Sequence, residues 1–283
     1  MAVSLPTSAH VNKLSSLSQR ILVAIVLIPL GVGLIALGGW FYSLFIMLIL
    51  GIAAWEYWRL FGSGGYQPSA VLLVGGTVAM QLARVVWGVA SAEALLALGV
   101  MAAMAWQVFS YARSEKTAAL DFNINLGGLL YIGWLGSFLI SLRNLPDGTW
   151  WFMTVLPAIW LADAGAYLVG SRIGRHRMAA SISPKKSWEG YIAGIVTGIL
   201  GTAALAALWH LRAPAVTVEK ALVIGAVVSV LSPLGDLGES MLKRGFGVKD
   251  TSQILPGHGG IMDRIDSWLW AAPIGYYIIT LFF

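Results

Sequence analysis

From Ile21 to Leu37 the chain reads "ILVAIVLIPLGVGLIAL", without one charged position, and similar runs recur to its last residues. Each is close to the ~20 residues an α-helix needs to cross the hydrocarbon of a bilayer. Nine runs, at residues 21–38, 41–60, 69–88, 92–110, 126–142, 151–171, 188–209, 220–238 and 267–283, predict nine transmembrane helices. A β-barrel is excluded, because its strands alternate in polarity over about ten residues, whereas these runs are apolar on every face. Trp40, Tyr42, Trp58, Trp150, Trp151, Trp209 and Trp268 fall near the expected ends, the depth at which amphipathic rings settle. The fold class expected is all-α, a polytopic membrane protein built as a single integral membrane domain over residues 1–283.

Composition strengthens this reading. Hydrophobic residues make up 58% of the chain and charged residues 11%, where a soluble domain carries about a quarter charged. The absence of Cys excludes structural disulfides and thiolate metal sites. Met1 to Arg20 is polar and mildly basic. The apolar run after it is longer than a signal peptide's, so a cytoplasmic N-terminal segment (1–20) followed by a retained first helix is expected.

Charge sets the expected orientation. With the N-terminus in the cytoplasm, fourteen of the 18 Lys and Arg fall on the inner side, leaving Arg84, Arg143, Arg212 and Lys220 towards the outside. That is a strong positive-inside bias. The two longest polar loops, 172–187 and 239–266, then both face the cytoplasm, and neither is long enough to fold alone. Chemistry is therefore expected on the inner face of the membrane body.

Five carboxylates need explaining. Asp163 interrupts the apolar "LPAIWLADAGAYLVG", where a central carboxylate costs about 2.5–3.5 kcal/mol on insertion scales; it is either polar glue between helices or a metal or substrate contact. Asp236 and Glu239 share one helical face three residues apart, and Asp263 with Asp266 repeats the spacing. Together these are the hard oxygen donors that Mg²⁺ prefers, and no His pair or Cys offers a zinc site. A plainer role for Asp263 and Asp266 is to favour a helix N-terminus.

Cations interleave with these acids. Lys243, Arg244, Lys249 and Arg264 lie in one loop and Lys185 with Lys186 in the other. Attraction to anionic lipid accounts for Arg172, Arg175 and Arg177, but not for alternating signs. Acids holding a metal beside cations holding phosphate oxygens suit phosphoryl transfer, whose catalysis is mainly positioning and charge neutralisation. In "PGHGG" (256–260), Gly257, Gly259 and Gly260 can bring backbone N–H groups close to a phosphate, with His258 at the centre, by default a turn or interface residue.

The spaced residues Ser240, Lys243, Arg244, Lys249, Asp250, Pro256, His258, Gly259, Gly260, Asp263, Arg264 and Asp266 resemble the signature of the phosphatidate cytidylyltransferases (CDP-diacylglycerol synthases). Every fixed place is filled in order, and "ADAGAYLVGSRIG" and "SPKKSWEG" look like the family's second conserved region. For residues 1–150 only the hydropathy pattern agrees. The resemblance implies transfer of CMP from CTP to phosphatidate, with Mg²⁺ as cofactor, a second cation allowed, and a homodimer in the bacterial cytoplasmic (inner) membrane. Its partners are then CTP, phosphatidate and membrane lipid, with no nucleic acid. On this reading Asp236, Asp263 and Asp266 are first choices as metal ligands, with Asp163 and Glu239 behind them. Lys185, Lys186, Ser240, Lys243, Arg244, Lys249 and Arg264 meet phosphates, with Gly259 and Gly260 in the substrate turn, and His258 orients a phosphate oxygen. A transporter would carry its polar residues near the midplane, and these gather at one face. A CTP-using lipid kinase or a cytidylyltransferase for another lipid phosphate is the nearer rival, separated by which phosphate of CTP is transferred.

Overall fold

Helix ends in the computed structural model, which describes residues 16–114 and 116–283, follow from local chemistry. The segment expected in the cytoplasm at 1–20 lies outside the described residues up to position 15. Two long helices, α1 (Ser16–Leu37) and α2 (Gly39–Ser63), are followed by a π-helical turn (Val71–Gly75) leading into α3 (Gly76–Trp87). Then come α4 (Ala92–Ser114), α5 (Ala118–Gly128), a second π-helical segment (Leu129–Trp134), α6 (Leu135–Arg143) and α7 (Gly148–Ile173). A hairpin of β1 (Arg177–Ala179) and β2 (Ser183–Ser187) leads into α8 (Trp188–Trp209), α9 (Val218–Leu231), α10 (Pro233–Gly245), the short α11 (Met262–Ile265) and α12 (Trp268–Phe282).

The architecture is nearly all-α, and the chain is an integral membrane protein. Among the described residues, six stretches are long and apolar enough to cross a membrane: Gly39–Ser63, Val71–Ala112, Ala118–Arg143, Gly148–Ile173, Trp188–Trp209 and Val218–Gly245. The nine expected spans are not matched one for one. Those at 69–88 and 92–110 fall within a single stretch, joined by a 3₁₀ turn at Gly88–Ser91. The expected last span is α12, whose 15 residues reach only ~22 Å at 1.5 Å per residue, short of the ~30 Å hydrocarbon. The span at 220–238 is two helices, because Pro233 opens α10 and has no N–H to continue α9. The loop at 172–187 departs from all-α: β1 and β2 pair antiparallel, Arg177 opposite Ser187 and Ala179 opposite Ser183. Ser187 then caps α8 by accepting from the N–H of Gly190.

Small residues set the tightest packing. Gly190, Gly194 and Gly198 recur every fourth residue along α8 and lie on Ala162, Ala166 and Gly170 of α7. A Cβ on Gly194 would fall 2.7 Å from the carbonyl oxygen of Ala162, so the helices approach backbone to backbone, the packing that substitutes for hydrophobic burial in lipid. This close pair fixes where the hairpin between α7 and α8 emerges. The other half is centred on α2, where Tyr42 donates to the carbonyl of Leu139 at 2.9 Å and meets the edge of Phe152. Arg84, expected towards the outside, is buried: its guanidinium donates to Ser137 and lies 5.0 Å from the centre of the Phe138 ring.

Candidate active site

The site forms where α10, α11 and the β-hairpin meet. Pro233 redirects the chain after α9, so α10 carries Asp236, Glu239, Ser240 and Lys243 on one face at helical spacing. Lys243 is buried and its ammonium donates to Glu239 at 3.1 Å and to Asp263 at 2.5 Å. One cation thus binds α10 to α11. Breaking such a buried arrangement by removing one member leaves an uncompensated charge. Lys243, expected to bind phosphate, and Asp263, expected to hold a metal, are here bonded to each other. The Asp263 Oδ2 also accepts from the N–H of Gly260 at 2.7 Å and from the N–H and hydroxyl of Thr251, each at 3.0 Å. Burial raises the Asp263 carboxyl, but the bond from Lys243 and those from Gly260 and Thr251 outweigh it and hold it below its ordinary value.

Exposure separates this group from a second ion pair. Lys186 on β2 donates to Asp236 at 2.6 Å, with side chains 26% and 39% exposed. A pair so open to solvent is worth about 0–1 kcal/mol, so a stronger ligand can take either partner. Ser240 donates to Asp236 at 3.3 Å. Asp163 lies within electrostatic range of both Lys186 and Asp236. Asp266 is buried, and burial followed by the charge of Asp236 holds its carboxyl above its ordinary value. Glu239 is fully buried, and its carboxyl lies against that of Asp266.

The remaining cations are at the surface. Lys185, Lys249 and Arg264 are exposed, and Arg244 donates to the carbonyls of Ile182 and Val248, tying the hairpin to the loop after α10. His258 is half-buried in a turn closed by the Leu255–Gly259 bridge, and its Nδ1 is buried without a partner.

The backbone of this turn is engaged within the protein. The N–H of Gly260, expected at a phosphate, already donates to Asp263. The next two N–H groups, of Ile261 and Met262, donate to Glu56 at 3.0 and 2.7 Å. The start of α11 is thus satisfied by the protein's own carboxylates, and Gly257 and Gly259, with φ +76° and +84°, take the left-handed conformations that close the turn. Thr251 and Ser252 also donate to Glu56, at 3.2 and 2.5 Å. Sequence reasoning missed Glu56, yet a signal was present: it is the only carboxylate among the first 92 residues, in an apolar run. It also missed Tyr131, whose buried hydroxyl stands beside Trp270 and in the field of Asp266, Glu239 and Asp236. No residue pattern foretells the π-helical segment that carries it.

Among the described residues no three His, Asp or Glu side chains form a ready-made metal cage. The donor chemistry nevertheless suits a hard cation, with the Glu239 carboxyl beside that of Asp266. Mg²⁺ is usually held by one or two carboxylates together with substrate phosphates, not by an all-protein cage.

The phosphatidate cytidylyltransferase of Synechocystis sp. is 33% identical to the chain over 93% of its length and 97% of the relative's. That of Pseudomonas aeruginosa is 36% identical over 91% and 95%, and that of Mycobacterium bovis 34% identical over 81% and 77%. The profile of the cytidylyltransferase family matches residues 18–282. The chain therefore belongs to the cytidylyltransferase family, and is a transferase by that membership.

Proposed function

We propose that the protein transfers CMP from CTP to phosphatidate, giving CDP-diacylglycerol and pyrophosphate. The observation that carries this reading is the contrast between two neighbouring ion pairs: Lys243 is locked between Glu239 and Asp263, while Lys186 and Asp236 remain open to exchange. A phosphate oxygen of phosphatidate attacks the α-phosphorus of CTP, and the bond to the β-phosphate breaks as pyrophosphate leaves with its electron pair. No protein nucleophile is needed, since the lipid phosphate is already anionic. The protein's task is to bring two polyanions together. Lys186, released from Asp236, meets a phosphate oxygen, and the exposed Lys185, Arg244, Lys249 and Arg264 screen the triphosphate. The buried, unpartnered Nδ1 of His258 orients another oxygen.

Mg²⁺ would be held by Asp236, Glu239 and Asp266, with Asp163 close behind, and would neutralise charge developing on the pyrophosphate. Asp263 serves as the anchor that keeps α10 and α11 in register. The site lies at the cytoplasmic face of the inner membrane, with the N-terminus on that side, a reading supported by the positive-inside bias and by access to CTP. The homodimer follows from family resemblance alone. The test is to incubate purified protein with CTP, Mg²⁺ and vesicles containing phosphatidate. CDP-diacylglycerol and pyrophosphate should form in equal amounts, and neither should form after thorough chelation. Full activity in chelator would remove the metal from the reading, and pyrophosphate release without phosphatidate would remove the acceptor.

A further inference from the structure

Glu56 is fully buried in α2, and among the described residues no cation pairs with it. Arg59, one turn along, lies instead over the ring of Trp55 at 4.9 Å. A lone buried carboxylate is costly unless hydrogen bonds replace its water. Here four donors do so, and all come from one segment far away in the chain: the hydroxyls of Thr251 and Ser252, and the backbone N–H groups of Ile261 and Met262. Both ends of the turn that presents His258 and Gly259 are thereby tied to a transmembrane helix.

The fit is close. A Cβ on Gly260 would stand 2.6 Å from each carboxylate oxygen of Glu56, so the position admits only glycine while Glu56 is in place. The Thr251 hydroxyl is 3.2 Å from Glu56 and 3.0 Å from Asp263, and its single proton serves one of them at a time. The turn is thus held between two carboxylates, one reached from α2 and one belonging to the site.

We infer that Glu56 is a positioning residue: it holds the turn from Thr251 to Met262 so that His258 and Gly259 face the substrate phosphates. This rests on the active site proposed above. Glu56 touches no reacting atom, so its effect is felt through the geometry of the turn, and the nucleotide side of the reaction should feel it most.

Glu56→Gln tests the inference, because the amide keeps size but offers a donor at one oxygen, where a backbone N–H already points. With the wild-type protein assayed in parallel, kcat/KM for CTP should fall on the order of 100-fold, the penalty of about 1 Å of misplacement. KM for phosphatidate and the detergent melting temperature should stay close to wild type. Unchanged kinetics, or a loss fully explained by fewer folded molecules, would overturn the inference. So would tighter CTP binding, since Glu56 would then be an internal anion displaced by substrate. Should Glu56→Gln fail to insert, Ser252→Ala decides: it deletes one donor, should lower kcat/KM for CTP by about 10-fold with an unchanged melting temperature, and wild-type kinetics would contradict the role. Failure of the wild-type protein itself to transfer CMP would count against the functional reading and not against the position of Glu56.

Discussion

The carboxylate of Glu56 accepts a 2.7 Å hydrogen bond from the backbone N–H of Met262, 206 residues further along the chain. The contact ties the second long helix to the turn that precedes α11, and so to Asp263 and Asp266. Together with the Lys243 bridge it makes the polar end of the bundle a braced structure. The exchangeable Lys186–Asp236 pair sits at its open side.

Lys243→Met removes the cation shared by Glu239 and Asp263 and leaves two buried carboxylates facing each other. We expect destabilisation of about 3–5 kcal/mol together with loss of turnover, read as a lower melting temperature in detergent. Wild-type stability would show that the bridge is not structural.

Lys186→Gln breaks the more exposed pair and should behave oppositely. Stability should change by less than about 1 kcal/mol, while kcat/KM for CTP falls because a phosphate partner is lost. A matching loss in both variants would erase the distinction between framework and reactive pair.

That distinction was not legible in the sequence. Lys186 and Lys243 read alike as basic residues near acids, and only the hairpin, which carries Lys186 across to Asp236, separates their environments. The acidic pairs themselves were legible, because spacings of three and four residues become one helical face without any tertiary information. Apolar length located the helices but not their breaks: Pro233 divides the run expected as one span at 220–238, and the π-helical turn at Leu129–Trp134 has no signature of its own. Glu56 stood out by its charge in an apolar run, while its partners, separated from it by most of the chain, did not.

Asp163→Asn tests a residue with two readings. Lying within range of Lys186 and Asp236, it should lower activity by about 10- to 100-fold and raise the Mg²⁺ needed for half-maximal rate, as loss of a supporting carboxylate does. Normal activity with an unchanged Mg²⁺ titration would make it only a contact between helices.

Topology can be read by chemistry, since the chain has no Cys to give background labelling. Single cysteines at the exposed Ser181 and Gln253 should resist a membrane-impermeant thiol reagent in intact cells and react after permeabilisation. Labelling of both in intact cells would reverse the orientation and separate the site from cytosolic CTP.

The central claim is that this membrane face moves a nucleotidyl group and not a terminal phosphate. Purified protein should be given phosphatidate, Mg²⁺ and CTP labelled either at the α- or at the γ-phosphate, and the lipid and aqueous products separated. α-Label should appear in the lipid and γ-label in pyrophosphate. Label from the γ-phosphate in the lipid, with CDP released, would mean a CTP-dependent lipid kinase and would contradict the claim.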